Sequence, residues 1–481
     1  MDTNVPSPIP SRLDREICAS CRLPLLVLFV SAAVWLAFAS IFSLIASIKF
    51  HSPVFLGDCS WLTYGRIVAA GNSSLLYGFC VQAGFGVALW IFARLGATPL
   101  ARRWLTTIGA MIWNAGVTIG VIGILAGDST GFEDLEIPSY GALVMFIGYL
   151  FIGLWAVLTF HRHRDRALFP SQWFLLAAVF WFPWIYSTAE LLLVVVPVRG
   201  AMQPVISWWY AANLRVVWLG LVGIGAVLYF LPRLTGRELY SRYLSLFTFW
   251  TLILFGGWCG IPNSAPVPAW MPALSTVACV LTMLPVITFS LNIGSTLEGQ
   301  WSRLRAHPCL PFVGVGLVSL ILAMVMRVIG AFLQASEVVE FTWYVPATAE
   351  LATYGFFGMM LFGATYFILP QLVDLEFSPK LVRLHFWLAL FGILFTVGPL
   401  AIGGIAQGSK LNDPQIDFMA VAKSTLMFLR VSTIGILLIL AGQVLFLANL
   451  IGMVGRFSKA RAAAAYAIAT EDLFKAEPAK P

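Results

Sequence analysis

Apolar runs long enough to cross a membrane recur along this chain, and they limit its possible folds more than any other feature. Twelve such stretches of about 20 residues or more fall roughly at 24–50, 68–95, 104–126, 139–160, 171–197, 205–232, 240–262, 267–293, 309–335, 343–370, 381–405 and 424–455. In hydrocarbon, backbone amides find no water to bond. Each run must therefore close its own hydrogen bonds, which makes it a helix, and the alternating pattern of a β-barrel is absent. The expected fold is an all-α polytopic membrane protein. A cytoplasmic N-terminal arm (1–23) precedes a twelve-helix transmembrane domain (24–455), and a cytoplasmic C-terminal tail (456–481) follows it. The first run follows a polar arm without a small-residue cleavage site, so it reads as a retained helix and not a signal peptide.

The chain is 60% hydrophobic and 11% charged, with a mean hydropathy of +0.88. Soluble globular chains carry about 25% charged residues, so a soluble enzyme is excluded. A net charge of +7 invites a nucleic-acid partner, but the placement of the cations gives a different reason for it. If the N-terminus is cytoplasmic and the helices alternate, most of the 29 Lys and Arg fall inside. They lie in the arm (Arg12, Arg15, Arg22), in the even-to-odd loops (Arg94, Arg102, Arg103; Arg162, Arg164, Arg166; Arg233, Arg237, Arg242; Arg303, Arg305; Lys380, Arg383) and in the tail (Arg456, Lys459, Arg461, Lys475, Lys480). The outer loop "GDSTGFEDLEIP" is acidic. This is the positive-inside distribution with both termini cytoplasmic, and it needs no nucleic acid.

Motifs that carry chemistry elsewhere are weak here. Cys18 and Cys21 form a CxxC without the following His of covalent heme attachment, and on a reducing side they read as ordinary thiols. Of the five His, none pairs with another at helical spacing within a span, so no metal site is visible. No glycine-rich loop follows a strand, so nucleotide binding has no support.

Five stretches together match one family: "WLTYGRIVAAGNSSLLYGF", "WWYAANLRVVWLGLVGIGAVLYFLP", "YSRYLSLFTFWTLILFGGWCGIPN", "GFFGMMLFGATYFILP" and "LVRLHFWLALFGILF". They fall in order on spans 2, 6, 7, 10 and 11. Over about residues 15–460 the chain resembles subunit I of the heme-copper oxidases, in particular the cbb3-type cytochrome c oxidase branch, whose subunit I is itself a twelve-helix bundle. The resemblance implies two hemes and a copper held by six His. Carried over residue by residue, the heme ligands fall at Gly71, Thr348 and Glu350, the copper ligands at Ala212, Pro262 and Asn263, and a copper-side Tyr at Gly256. His385 is the one family His that is retained, and it is not a ligand. On this reading no cofactor, metal or catalytic residue is expected.

Five charges lie inside spans: Glu190, Arg215, Arg327, Glu350 and Arg430. A lone charge in the bilayer interior is costly, so such residues face the bundle and pair. The expectation is a buried network in which Glu350 pairs with Arg215 or Arg327 and occupies part of the space the hemes would fill. The functional expectation is a non-catalytic structural or regulatory subunit of a respiratory complex in the bacterial inner membrane. Its partners would be other membrane subunits, among them a true oxidase subunit I or cytochrome c subunits, and lipid. The alternatives are an ion- or proton-conducting protein on an oxidase-derived bundle, a redox-active subunit with unorthodox ligation, and a sensor or assembly factor.

Overall fold

The computed structural model describes residues 12–162, 167–299 and 307–475. Arg164, Arg166, Arg303, Arg305 and Lys480 from the sequence reading above lie outside the described residues. Every regular element among the described residues is helical. The main helices are α1 (Arg12–His51), α2 (Tyr64–Leu95), α3 (Arg103–Ala126), α4 (Ser139–His161), α5 (Pro170–Val195) and α6 (Met202–Thr235). They continue with α7 (Arg242–Gly256), α8 (Trp270–Leu297), α9 (Leu310–Ala331), α10 (Tyr344–Val373), α11 (Pro379–Leu411) and α12 (Phe418–Lys475).

Eleven of these are long and apolar enough to cross a membrane. The exception is α7, where the sequence predicts a span over 240–262 and the helix has 15 residues. Its apolar run stops at Gly256–Gly257. The chain then turns at Gly260 (φ 124°) and passes Pro262, Pro266 and Pro268, whose rings cannot continue a helix. Cys259 is the one buried residue of this 257–269 segment, and Gly260, Ile261, Pro262 and Asn263 line a cavity, a setting in which irregular backbone is tolerated. At the two ends, α1 begins within the expected polar arm and α12 runs through most of the expected tail. The arm is tied to the bundle by Arg22 Nε, which donates to Leu372 O (2.6 Å), and by Arg94 Nη1 on Asp14 Oδ1 (2.8 Å).

Burial sorts the helices into two classes. The most apolar windows of α2, α6 and α10 are 94%, 94% and 83% buried, against 39–50% for the rest. These three form the centre and the others wrap them. All three contain π-helical stretches, at Ser74–Val81, Asn213–Trp218 and Leu351–Gly358, and Leu191–Val195 closes α5 in the same way. At or just before each central stretch a side chain bonds the carbonyl four residues back. Ser74 bonds Ala70 O (2.7 Å), Asn213 bonds Trp209 O (2.9 Å) and Thr348 bonds Tyr344 O (3.0 Å). Such back-bonding loosens and bends a helix, and π turns concentrate at functional sites.

Peripheral pairs cross closely where side chains vanish. A Cβ at Gly148 of α4 would stand 2.6 Å from Trp113 N of α3 and 2.9 Å from Gly109 O. Those atoms are backbone and cannot give way. A Gly148→Val variant is therefore expected to cost on the order of 1–3 kcal/mol through overpacking. The check is the midpoint of heat-induced unfolding in detergent, and an unchanged midpoint contradicts so close a crossing.

Candidate functional site: a cavity roofed by an acidic loop

Arg215 lies on α6, within its π-helical stretch. Its guanidinium is gripped along one edge by Asp134, with Nε to Oδ2 at 2.5 Å and Nη2 to Oδ1 at 2.6 Å. Asp134 belongs to the α3–α4 loop and is fully buried. Around this pair Arg215 also donates to Asn72 Oδ1 (3.1 Å) and Thr353 Oγ1 (3.4 Å), so α2, α6, α10 and the loop meet at one cation. A bidentate, charge-assisted pair of this kind fixes geometry as well as charge.

The loop that supplies Asp134 is built to reach inward. Asp134 has φ 63°, a left-handed conformation that turns the chain sharply. Thr130 and Ser129 brace the return by donating to Leu135 O (2.6 Å) and Glu136 O (3.3 Å). Leu135 and Ile137 are each 1% exposed, so apolar side chains anchor the loop on both sides of its acids. The Glu136 carboxylate accepts from Asn72 Nδ2 (2.7 Å) and Ser73 Oγ (3.2 Å). Tyr77 donates to the carbonyl of Asp134, and its hydroxyl lies 2.6 Å from that of Tyr210. Burial, reinforced by the neighbouring charge of Asp134, pushes the Glu136 carboxyl up to about 7.

Beside the ion pair lies a cavity of about 680 Å³. Its walls come from α6, α8, α9, α10, the 257–269 segment and the 332–343 segment, with Glu133 of the acidic loop and Gln407 of α11 also lining it. The expected copper positions Ala212, Pro262 and Asn263 all line it, together with Thr348, Arg215 and Arg327. Gly71 and Glu350 are not among its lining residues. Gly71 turns toward α1, where a Cβ would meet Phe42 Cβ at 3.2 Å. Glu350 sits close enough to Cys80 of α2 and Tyr354 of α10 for its charge to act on both. Gly256 faces α6, with Val217 Cγ2 2.9 Å from where its Cβ would be, which leaves no room for a ring in this packing.

Two of the polar lining residues are already engaged. Asn263 donates from its side chain to Ala331 O (3.0 Å) and Ser336 Oγ (3.0 Å), accepts from Thr276 Oγ1 (3.3 Å), and its backbone N–H bonds Glu340 Oε1 (2.8 Å). It is a staple between the 257–269 and 332–343 segments. The Thr348 hydroxyl is held by Tyr344 O. His385 lies elsewhere, its Nδ1 2.9 Å from Tyr366 Oη in a nest of Phe312, Phe362 and Phe446. Among the described residues no group of three or more His, Cys, Asp or Glu is suited to a metal ion.

The five intramembrane charges do not form the single network expected from the sequence. Among the described residues Glu350 makes no ion pair with Arg215 or Arg327, because Asp134 from the loop has taken the guanidinium edge of Arg215. Glu190 lies beside Tyr186 on α5, with its Oε1 buried and without a hydrogen-bond partner. Arg430 is exposed. The buried seam of α12 runs through Val421, Thr425, Leu429 and Ser432, and one residue past Leu429 is a rotation of about 100° away from it. Sequence reasoning also missed Asp134 and Glu136, noting their loop only as an acidic outer loop. The signal that could have found them was the interleaving of Phe132, Leu135 and Ile137 with the acids.

Two outcomes test this geometry. Asp134→Leu leaves the Arg215 cation buried and unpaired, at a cost of about 3–5 kcal/mol, whereas adding Arg215→Met removes both charges and should recover much of it. Thermal unfolding of the two variants checks this, and simple additivity contradicts it. The second outcome concerns Glu136, whose folded-state pKa is raised from 4.5 to about 7, so the folded protein binds the extra proton between those values. The stabilisation is fully present below about 4.5 and is lost as pH rises to about 7, on the order of 3 kcal/mol in all. Glu136→Gln should flatten that slope in an unfolding-against-pH series.

Comparisons place this bundle among known proteins. Residues 24–438 match the family model "Cytochrome C and Quinol oxidase polypeptide I". A "Cytochrome c oxidase subunit 1 homolog" of Azorhizobium caulinodans is 22% identical over 87% of this chain and 79% of its own length. The "Cbb3-type cytochrome c oxidase subunit CcoN1" of Stutzerimonas stutzeri is 24% identical over 73% of this chain and 76% of its own. A cryo-EM structure of a heme-copper terminal oxidase dimer superposes with a TM-score of 0.72 over 90% of this chain and 84% of that one, at 14% identity, and so shares the fold. The match covers most of the chain and coincides with its helical bundle, so the chain belongs to the cytochrome c and quinol oxidase polypeptide I family.

Proposed function

We propose that this protein is a cbb3-like oxidase subunit I homologue that has given up its heme and copper ligands. It would serve as a non-catalytic structural or regulatory subunit of a respiratory complex in the bacterial inner membrane, with both termini cytoplasmic. The arm (1–23) and tail (456–481) would then flank the transmembrane domain (24–455) on the inner side, and its partners would be other membrane subunits, such as a true subunit I or cytochrome c subunits.

The observation that carries this reading is the donor set. Imidazole is the side chain that suits both heme iron and copper. Gly71, Ala212 and Pro262 carry no ligand atom, and the side chains of Asn263 and Thr348 are committed to protein partners. Glu350 alone offers a free-standing donor among the six positions. This set does not fit two hemes and a copper held as the resemblance implies, so these residues support no redox step. The grouping of Ala212, Pro262, Asn263 and Thr348 around one cavity, with Gly71 and Glu350 apart from it, supports the residue-by-residue carry-over.

A second reading, ion or proton conduction, draws on one observation. Glu136, Asn72, Asp134, Tyr77 and Tyr210 form a hydrogen-bonded chain leading from the loop into the bundle. Charge movement in proteoliposomes that disappears in Glu136→Gln would favour it. The test of the main reading is a dithionite-reduced minus oxidised spectrum of the purified protein. No heme α-band is the expected result, and a band stoichiometric with protein overturns it in favour of a subunit with unorthodox ligation.

A further inference from the structure

Arg327 makes the cavity more than a relic. It lies on α9 and lines the cavity, and among the described residues no carboxylate stands within 4.0 Å of it. Its side-chain hydrogen bond is a weak one, Nη2 to Cys259 Sγ at 3.8 Å. Arg215, across the same cavity, has a carboxylate along its guanidinium edge. A guanidinium left inside a bundle without a counterion costs several kcal/mol, and that cost is offset when an anion sits against it. A volume of about 680 Å³ falls within the ~300–1,000 Å³ of small-molecule sites. Two carboxylates also line the cavity, Glu133 of the loop and Glu340, whose Oε1 accepts from Asn263 N (2.8 Å), but neither lies within 4.0 Å of Arg327. The rest of the lining is largely apolar, with Leu320, Ala323, Met324, Phe356, Trp208 and Trp343.

We propose that this cavity binds a single-chain lipid anion, with its carboxylate on Arg327 and its acyl chain along the apolar wall. The inference rests on the reading that no heme or copper occupies the cavity. Charge complementarity selects the head, and the apolar lining selects the tail. A neutral alcohol of the same length lacks the head, and a short carboxylate lacks the tail. Burial of the acyl chain partitions such molecules from water into the bilayer, which concentrates them beside the bundle.

Two indoles in the lining give the test a direct signal. The full chain is placed in phosphatidylcholine nanodiscs and titrated with 9,10-dibromostearate, whose bromines quench tryptophan at contact. Saturable quenching is expected, displaced by stearate but by neither stearyl alcohol nor acetate. Arg327→Met should weaken it at least tenfold, Arg327→Lys should retain most of it, and Arg430→Met, on the exposed face of α12, should leave it unchanged. If Arg327→Met fails to fold, Arg327→Gln carries the same comparison. Equal binding with and without the Arg327 charge, or equal displacement by the alcohol, overturns the inference and leaves the proposed function standing. Heme or copper stoichiometric with the chain, read from the same sample by absorption and elemental analysis, overturns both, so the two failures are distinguishable.

Discussion

The bidentate contact between Arg215 and Asp134 holds the centre of this bundle, and most of the surrounding polar structure follows from it. Arg215 is on a central helix whose most apolar window is almost wholly buried. A guanidinium there demands a carboxylate, and the α3–α4 loop provides it by folding inward at a left-handed Asp. Once the loop is in place, other features follow from hydrogen-bond satisfaction. Asn72 bridges both loop acids, Ser73 bonds the second, and Tyr77 caps the loop carbonyl while meeting Tyr210 of α6. One loop thus ties α2 to α6 through protein groups alone. In a subunit that has lost its prosthetic groups, as proposed above, such a tie is a plain physical means of holding central helices together.

The cavity beside that tie shows that the bundle has not collapsed onto itself. Its shape is kept by hydrogen-bonded side chains. The Asn263 amide joins the irregular 257–269 segment to the end of α9 and to the short helix Leu333–Val339, and α7 stops before that irregular segment. The π turns widen α2, α6 and α10 close to Gly71, Ala212 and Glu350. Each such turn interrupts the regular ladder and carries a cost that regular helix would not. Their persistence together with an open volume lined by Arg215 and Arg327 as well as by Glu133 and Glu340 is the physical basis for the ligand proposed above.

Much of the architecture was legible because lipid leaves a helix few alternatives. Apolar runs located most of the helices to within a few residues, the exceptions being the start of α1, the end of α12 and the short α7, and motif order along spans 2, 6, 7, 10 and 11 pointed to the family. The failures have a common cause, which is that sequence gives spacing along a helix but not which loop returns to meet it. Glu350 was the obvious partner for Arg215 so long as only intramembrane residues were considered, and Asp134 lay outside that set. The same restriction to intramembrane residues hid Glu136. Arg430 was a different failure, one of helix face: the buried seam of α12 passes through Thr425, Leu429 and Ser432, and only the packing shows which face that is. The shortening of α7 was likewise foreshadowed by Gly256–Gly257, Gly260 and Pro262, which an apolarity criterion alone passes over.

The decisive measurement is an experimental density map of the purified protein in a lipid bilayer, at a resolution that shows side chains between α2, α6 and α10. Loss of the heme and copper ligands predicts Asp134 seated on Arg215, side-chain density filling the region between Gly71 and Glu350, and no macrocycle. A porphyrin plane lying there, with Glu350 or any other side chain on its iron, would contradict it.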